Sequence, residues 1–516
     1  MHTEYGMRNT EYRIPNADQK IPHSAFRIPH FLYSLLPFLA YPIALIWATQ
    51  HDPFFWDTVQ LASKHAHHFY ENGLHWTALP AHIDSGHPPV FGFYLACIWT
   101  LFGKTLPASH WAMLPFLLGI VMLLYQLGKR LGGHTWAFWL LPLVLLDPVL
   151  AGQMTLVSPD VVLVCFFLLA VEAGLGQNRW LLALAVLGLC AISMRGMMTA
   201  GALFIWQLAE YGIRNTEYGI FCTHWSPFRI PHSVFRIPHS AFRIPYSFLP
   251  GFAFAAGFLW WHQRATGWTG YHPGSSWAPA FERVQGLALV KNLLVVGWRW
   301  LDFGRVFEWL AVGYLLRNFW RSKMKLLEAQ WMALPLLLGC LLLLLSPSAI
   351  LYQNLSAHRY FLAGFLTLHL LVFQWISHAT WATRTKSWLF TAFLIGLATG
   401  NFWIYPRGIS MDWDSTLAHQ PYHRLRAEAV DYLEKQGVDY QTVGSAFPNL
   451  NTGENLLLNG DQRQFTHLDW QLNKYIFASN VCNDFSNSDY ERLHRDWDLL
   501  YRQAQAGVWV EIYRRR

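Results

Sequence analysis

Charge is what this chain has least of. Asp, Glu, Lys and Arg make up 13 % of its 516 residues, about half the share usual in a soluble domain. A water-exposed surface over most of the chain is thereby excluded. Cysteine is sparse and unpatterned. Cys97, Cys165, Cys190, Cys222, Cys340 and Cys482 show no paired spacing, and most sit inside apolar runs. Neither a disulfide framework nor a cysteine metal cluster is expected. The metalloprotease pattern His-Glu-x-x-His is missing. His65, His67, His68, His75 and His82 crowd one stretch without it, and histidines facing headgroups are the expected reading. No core-forming repeat period and no two-halved transporter pattern is present. No cleavable leader is expected ahead of the first apolar run.

Apolar sequence is abundant. Hydrophobic residues make up 53 % and aromatic residues 16 %. Apolar runs of about 20 residues recur, the length that crosses hydrocarbon, so the expectation is an α-helical polytopic membrane protein. The net charge of +7 is read as cytoplasmic loops rather than nucleic-acid binding. Trp, Tyr and Phe suit interfacial belts as well as core packing.

Residues 1–30 and 211–246 share low-complexity text. YGMRNTEYRIP recurs as YGIRNTEYGI, and IPHSAFRIPH recurs within FRIPHSVFRIPHSAFRIPYS. The prolines discourage helix and sheet, and the arginines mark the cytoplasmic side. With the N-terminus inside, 31–50 is the first span and 51–106 the first external loop. Within that loop 88–103 reads as a dipping or surface helix. Spans follow at 107–127, 134–153, 159–176, 180–194, 197–210, 247–262, 303–320, 329–346, 360–378 and 387–404, about eleven crossings in all. This places Lys129, Arg130, the 211–246 insert, the Arg317–Lys325 cluster, Arg384 and Lys386 on the cytoplasmic side. Residues 406–516 regain charge. They predict a small extracytoplasmic α/β domain with helices near 422–436 and 488–506 and strands at Thr442–Ala446, Tyr475–Ser479 and Val508–Tyr513.

The first external loop is the polar exception to a greasy chain. Asp57-Thr58-Val59-Gln60 fits a capping box, and Val59, Ala62, Ala66 and Phe69 keep helical spacing until Gly73. Asp52 and Asp57 lie in this loop, with His87 before Pro88-Pro89. Further along, Asp160 follows Ser158-Pro159, and Arg195 and Arg359-Tyr360 stand at outer span ends. Ionisable groups at such depth are costly and are functional candidates. An acid can take a proton from a nucleophile, and arginines pair with phosphate oxygens. Plainer roles exist for each. Asp57 and Asp160 suit helix starts, the arginines can snorkel, Asp52 can end its span, and Asp147-Pro148 reads as pairing or capping.

Asp57 after a first span, followed by Gly73 and His87-Pro88-Pro89-Val90-Phe91-Gly92, resembles the first external loop of the C-type (GT-C) polytopic glycosyltransferases. The likeness is to the lipid A aminoarabinose transferase and protein O-mannosyltransferase group. Ser158-Pro159-Asp160 resembles their second acid, Ser193-Met194-Arg195-Gly196 their Thr-Lys-Gly step, and His358-Arg359-Tyr360 their late Arg-Tyr. The resemblance covers about 31–405 and leaves the tail unmatched. It implies inverting transfer of a sugar from a polyprenyl-phosphate donor to a lipid, glycan or protein acceptor at the extracytoplasmic face of a bacterial inner membrane. Asp57 and Asp160 would be catalytic, and His87, Arg195, Arg359, Tyr360 and Asp52 would bind substrate. Mg²⁺ or Mn²⁺ on Asp57 and Asp160 is compatible with oxygen ligation. His87 stands where the family has lysine, which puts phosphate binding on the two arginines or makes it pH-sensitive. A lipid or glycan transporter, or a non-catalytic membrane scaffold, is the alternative.

Overall fold

The computed structural model of the chain describes residues 30–220, 243–272, 274, 278–322, 329–353, 356–406 and 409–516. Residues 1–29 and the central repeats at 221–242 lie outside them.

The helices of the apolar region run in order: α1 (His30–Thr49), α2 (His65–Glu71), α3 (Val90–Phe102), α4 (Leu106–Trp111), α5 (Leu114–Leu145), α6 (Pro148–Met154) and α7 (Pro159–Leu175). Then come α8 (Arg179–Ile192), α9 (Met194–Ile220), α10 (Arg243–Thr266), α11 (Leu287–Leu301), α12 (Val306–Ser322), α13 (Ala329–Leu351), α14 (Leu362–His378) and α15 (Thr383–Gly400). Polar side chains set several starts by taking orphan backbone N–H groups. Thr105 caps α4, Asp147 caps α6, Ser158 caps α7 ahead of Pro159, and Asn178 caps α8. α14 is the axis of the bundle, buried from Leu362 to Ser377.

Among the described residues three helical stretches, Leu106–Leu145, Trp331–Leu351 and His358–His378, are by length and composition apolar enough to cross a membrane, the pattern of a multi-pass membrane protein. The expected count of about eleven is not reached by that measure, because apolar helices such as Ser34–Thr49, Val90–Phe102 and Arg179–Ile192 are shorter. The first long stretch is not straight. Gly133 has φ 73° and ψ 174°, and a Cβ on Gly128 would lie 2.6 Å from the Ala137 carbonyl oxygen. In a continuous helix nine residues span about 13 Å, so the chain doubles back here, as the separate spans 107–127 and 134–153 require.

Other differences have local causes. α9 runs through to Ile220, so the first ten residues of the expected insert are helical. α11 was not expected. Its Leu287, Val290, Leu294 and Trp298 recur at helical spacing and are exposed, an apolar stripe facing outward. The loop helix opens as a turn of π-helix, Val59–Lys64, before α2. Its N-cap is Thr58 without a side-chain cap, so the expected Asp57–Gln60 capping box does not form. Asp57 is committed elsewhere.

The tail is a five-stranded mixed sheet, β1 (Val443–Ser445), β2 (Thr466–His467), β3 (Tyr475–Ser479), β4 (Trp497–Gln505) and β5 (Val508–Arg515), in spatial order β2-β1-β3-β5-β4. β1 runs parallel to β2 and β3, and β5 is antiparallel to β3 and β4. α16 (Gln420–Lys435) packs on β5 and β4, α17 (Gly453–Leu457) on the loop turn, and α18 (Asn487–Asp496) on β4. The helix expected over 488–506 stops at Asp496. Ala506 (φ 48°) and Gly507 (φ 82°) form a two-residue hairpin turn, which commits the run before them to pairing with β5. The tail is fastened to the first loop at Glu454, which takes His67 Nε2 at 2.9 Å and the Lys104 ammonium.

Candidate functional site

Four separate parts of the chain meet at one end of the bundle. Asp57 comes from the turn before the loop helix. Asp160 stands in the first turn of α7, whose Ser158 cap receives the Asp160 N–H at 3.1 Å. Arg195 opens α9. Gly196 beside it is obligatory, since a Cβ there would fall 1.9 Å from the Leu189 carbonyl oxygen. That closeness brings the end of α8 against the start of α9 and aims Arg195 back toward Asp160. Arg359 and Tyr360 sit in the single 3₁₀ turn His358–Phe361 that leads into α14.

Arg359 is the hub. Its Nη2 pairs with Asp57 Oδ2, its Nη1 lies 3.4 Å from Asp160 Oδ2, and its Nε lies 3.2 Å from Asp414 Oδ2. Arg195 Nη1 meets Asp160 Oδ1 at 3.0 Å. Both guanidiniums lie over the Tyr360 ring, Arg195 at 4.5 Å and Arg359 at 5.3 Å from its centroid. The two arginines are the cations set among these carboxyl groups, and burial, only partly offset by Arg359, raises the Asp414 carboxyl to about 7. Removing one member would leave a buried charge unpaired.

The side chains divide by exposure. Arg359, Asp160 and Asp414 are 4 %, 4 % and 1 % exposed, whereas Asp57 and Arg195 are each 15 % exposed. Asp57, His87, Arg195 and Tyr360 line a cleft with about 1260 Å³ of empty volume, counting space open to solvent. Leu61, Met194, Met198 and Leu345 give it an apolar flank, and Tyr271 stacked on Phe281 at 4.4 Å gives an aromatic one. Asp160 and Arg359 stand behind this lining. Asp57 Oδ1 is buried and has no hydrogen-bond partner.

His87 is a neutral acceptor. Its Nδ1 receives the Met194 N–H at 3.2 Å, and burial, then the nearby Arg195, hold its pKa down at about 3. It is therefore not the cation the resembling family has at this point. Asp52 does not join the cluster. Its backbone carbonyl accepts from His110, and its side chain is bonded to Gln420.

Mg²⁺ or Mn²⁺ on Asp57 and Asp160 would have to displace Arg359, which already bridges them. Among the described residues no group of three or more His, Cys, Asp or Glu side chains is arranged to hold a metal ion. As they stand, these carboxylates do not fit a divalent cation. Three of the five clustered histidines have partners: His65 bonds Ile83, His67 bonds Glu454 and His68 bonds Thr77.

Asp414 and the partners of Asp147 escaped the sequence reading. Asp414, in a part of the tail with no matched motif, is the third carboxylate on Arg359. Deeper in the bundle, Asp147 pairs with Arg305 at 3.4 Å and with His369 at 3.1 Å, and His369 also bonds Glu308 at 2.8 Å. Asp147 caps α6 as well, so it both pairs and caps, the roles its sequence suggested.

Fold and site together define a multi-pass helical membrane protein with a charged cleft at one end of the bundle, followed in the chain by a small α/β domain. Two solved structures are similar to it, both of ArnT from Cupriavidus metallidurans. The complex with undecaprenyl phosphate aligns at 12 % identity and TM-score 0.46, over 93 % of this chain and 98 % of that one. The apo form aligns at 12 % identity and TM-score 0.48, over 94 % and 98 %. No family model and no curated protein matches the chain. Scores of this size carry no functional argument, so the reading of the site rests on its own geometry.

Proposed function

We propose that this protein is an inverting membrane glycosyltransferase, moving a sugar from a polyprenyl-phosphate donor to a hydroxyl or amine of a lipid, glycan or protein acceptor. The observation that carries it is the single guanidinium of Arg359 joining Asp57 and Asp160 behind a cleft that also presents Arg195. In this reading Asp57 is the base. Its Oδ2 is held by Arg359 and its Oδ1 is unclaimed. The carboxylate takes the acceptor's proton while the acceptor heteroatom bonds to the anomeric carbon. The carbon–oxygen bond to phosphate breaks, and the lipid phosphate leaves as an anion.

Arg195 is the cation on the cleft wall, suited to paired contacts with phosphate oxygens. Tyr360 and neutral His87 line the same wall. Arg359 and Asp160 act one layer back, Arg359 pairing with Asp57 and Asp160 holding Arg195. The apolar flank of Met194, Met198 and Leu345 suits the first isoprene units of the donor, so the lipid bilayer delivers the substrate. This reading puts the cleft and the tail domain on the extracytoplasmic face of a bacterial inner membrane, with the N-terminus cytoplasmic, on the strength of the Lys/Arg distribution along the chain.

The test uses the full chain in proteoliposomes with undecaprenyl-phosphate-linked pentoses, hexoses and amino sugars, following undecaprenyl phosphate release. Wild type should turn over at least one donor, and Asp57→Asn should not. Movement of lipid-linked sugar across the vesicle wall without bond cleavage would replace this reading with a transporter.

A further inference from the structure

The segment after α15 returns to the site by a clasp of alternate acids. Asp412 Oδ2 accepts from His358, from the backbone N–H at 3.0 Å and from Nδ1 at 2.8 Å. Two residues on, Asp414 lies against Arg359, the next residue of the same 3₁₀ turn. Trp413 between them is buried. The segment is also pinned from α6. Gln153 Nε2 donates to the Asp414 carbonyl at 2.8 Å, and Gln153 Oε1 takes the Ser158 hydroxyl that caps α7 below Asp160. A Cβ on Gly152 would lie 2.7 Å from the Thr416 nitrogen, so this close approach depends on glycine.

Asp414 is an expensive residue in this place. Neither of its carboxylate oxygens has a hydrogen-bond partner, and its side chain is 1 % exposed. An unsatisfied buried carboxylate needs a reason beyond packing. Asp412 already anchors the segment. Burial, only partly offset by Arg359, raises its carboxyl to about 7, and what Asp414 adds is a third carboxyl edge on Arg359, at the one nitrogen that Asp57 and Asp160 leave uncovered. Building on the sugar-transfer reading, we infer that Asp414 is a positioning residue for that reaction. It fixes Arg359 through Nε and shares its charge, so that Asp57 remains an effective base.

The substitution is Asp414→Asn, in the full chain in proteoliposomes, with whichever undecaprenyl-phosphate sugar the wild type turns over. Arg359 would then give its charge to Asp57 and Asp160 alone, weakening Asp57 as a base. The expected result is a kcat lower by about tenfold with the donor KM within about twofold, because Arg195, not Arg359, faces the cleft. Asp412→Asn is the comparator. It loosens the same segment without touching Arg359, and should lower the thermal midpoint while leaving kcat within about twofold. Equal kcat losses in the two variants would reduce Asp414 to a docking contact and overturn the inference. So would wild-type kcat in Asp414→Asn. Either result leaves the parent reading standing, provided Asp57→Asn is dead. A wild type that turns over no donor removes the parent reading and this one with it.

Discussion

Asp57 and Arg359 lie 302 positions apart and form an ion pair beside the cleft. Only one of the two Asp57 oxygens is used in it, so the pair fixes the carboxylate while Oδ1 is buried without a hydrogen-bond partner. That division gives Asp57→Asn a specific consequence. The amide keeps the size of the group and an acceptor toward Arg359, but it is not a base. Turnover should fall by about 10²–10⁴-fold, the usual worth of general base catalysis, while the size-exclusion profile and the donor KM change little. Full turnover in the variant would take Asp57 out of the chemistry.

The two arginines should fail differently. Arg359→Met leaves Asp57, Asp160 and Asp414 facing one another without their shared cation. Stripping one partner from a buried ion pair costs about 3–5 kcal/mol, so a large drop in thermal midpoint should accompany lost activity. Arg195→Gln removes a more exposed cation from Asp160, which keeps Arg359. Its thermal midpoint should stay close to wild type, while affinity for undecaprenyl phosphate, measured by quenching of tryptophan fluorescence, falls by about tenfold or more. The reverse pattern would exchange the roles assigned to the two residues.

Most of this site was readable in the sequence because its parts break a simple rule: acids and arginines are out of place at the ends of apolar runs. Asp57, Asp160, Arg195 and Arg359 could be picked on that ground, and the α7, α8, α14 and α16 boundaries followed from length, caps and period. Asp414 was not legible. It lies in a polar tail where an acid is ordinary, and its meaning comes from a contact with a turn more than fifty residues away. Asp412-Trp413-Asp414 flanking a buried Trp is the only local hint. Asp52 misled for the opposite reason, since it sits in the right loop but turns toward Gln420. The β4 strand was missed because its apolar residues also fit a helix, and pairing with β5 decided between them.

His87 gives a test that separates this chain from the family it resembles. A cationic His87 would make donor binding titrate near neutrality. Here burial and Arg195 hold it neutral, with Nδ1 accepting from Met194. Affinity for undecaprenyl phosphate should therefore show no His87-dependent step between about pH 5.5 and 8. His87→Gln, which preserves a neutral acceptor, should bind within about threefold of wild type. His87→Lys places an ammonium against Arg195 and an N–H donor, and should bind worse and fold less stably. Tighter binding by the lysine variant would show that the site does use a cation at this point.

Asp52 makes the last prediction, about stability rather than turnover. Burial raises its carboxyl to about 6, only partly offset by the hydrogen bond from Gln420, and its Oδ2 has no partner in the described structure. A raised acid is held in its protonated form by the fold. Between about pH 4 and 6 the folded state then binds more protons than the unfolded one, so this group's contribution is full below that window and declines as pH rises through it. Asn cannot ionise and escapes the loss. Asp52→Asn should match wild type in stability below about pH 4 and exceed it at pH 8, by about 1 kcal/mol once the group's partial exposure is allowed for. Activity should be retained, because Asp52 is bonded away from the cleft. A variant less stable than wild type at pH 8 would mean that Asp52 is ionised and paired in the native protein, and a dead variant would return it to the list of residues that touch substrate.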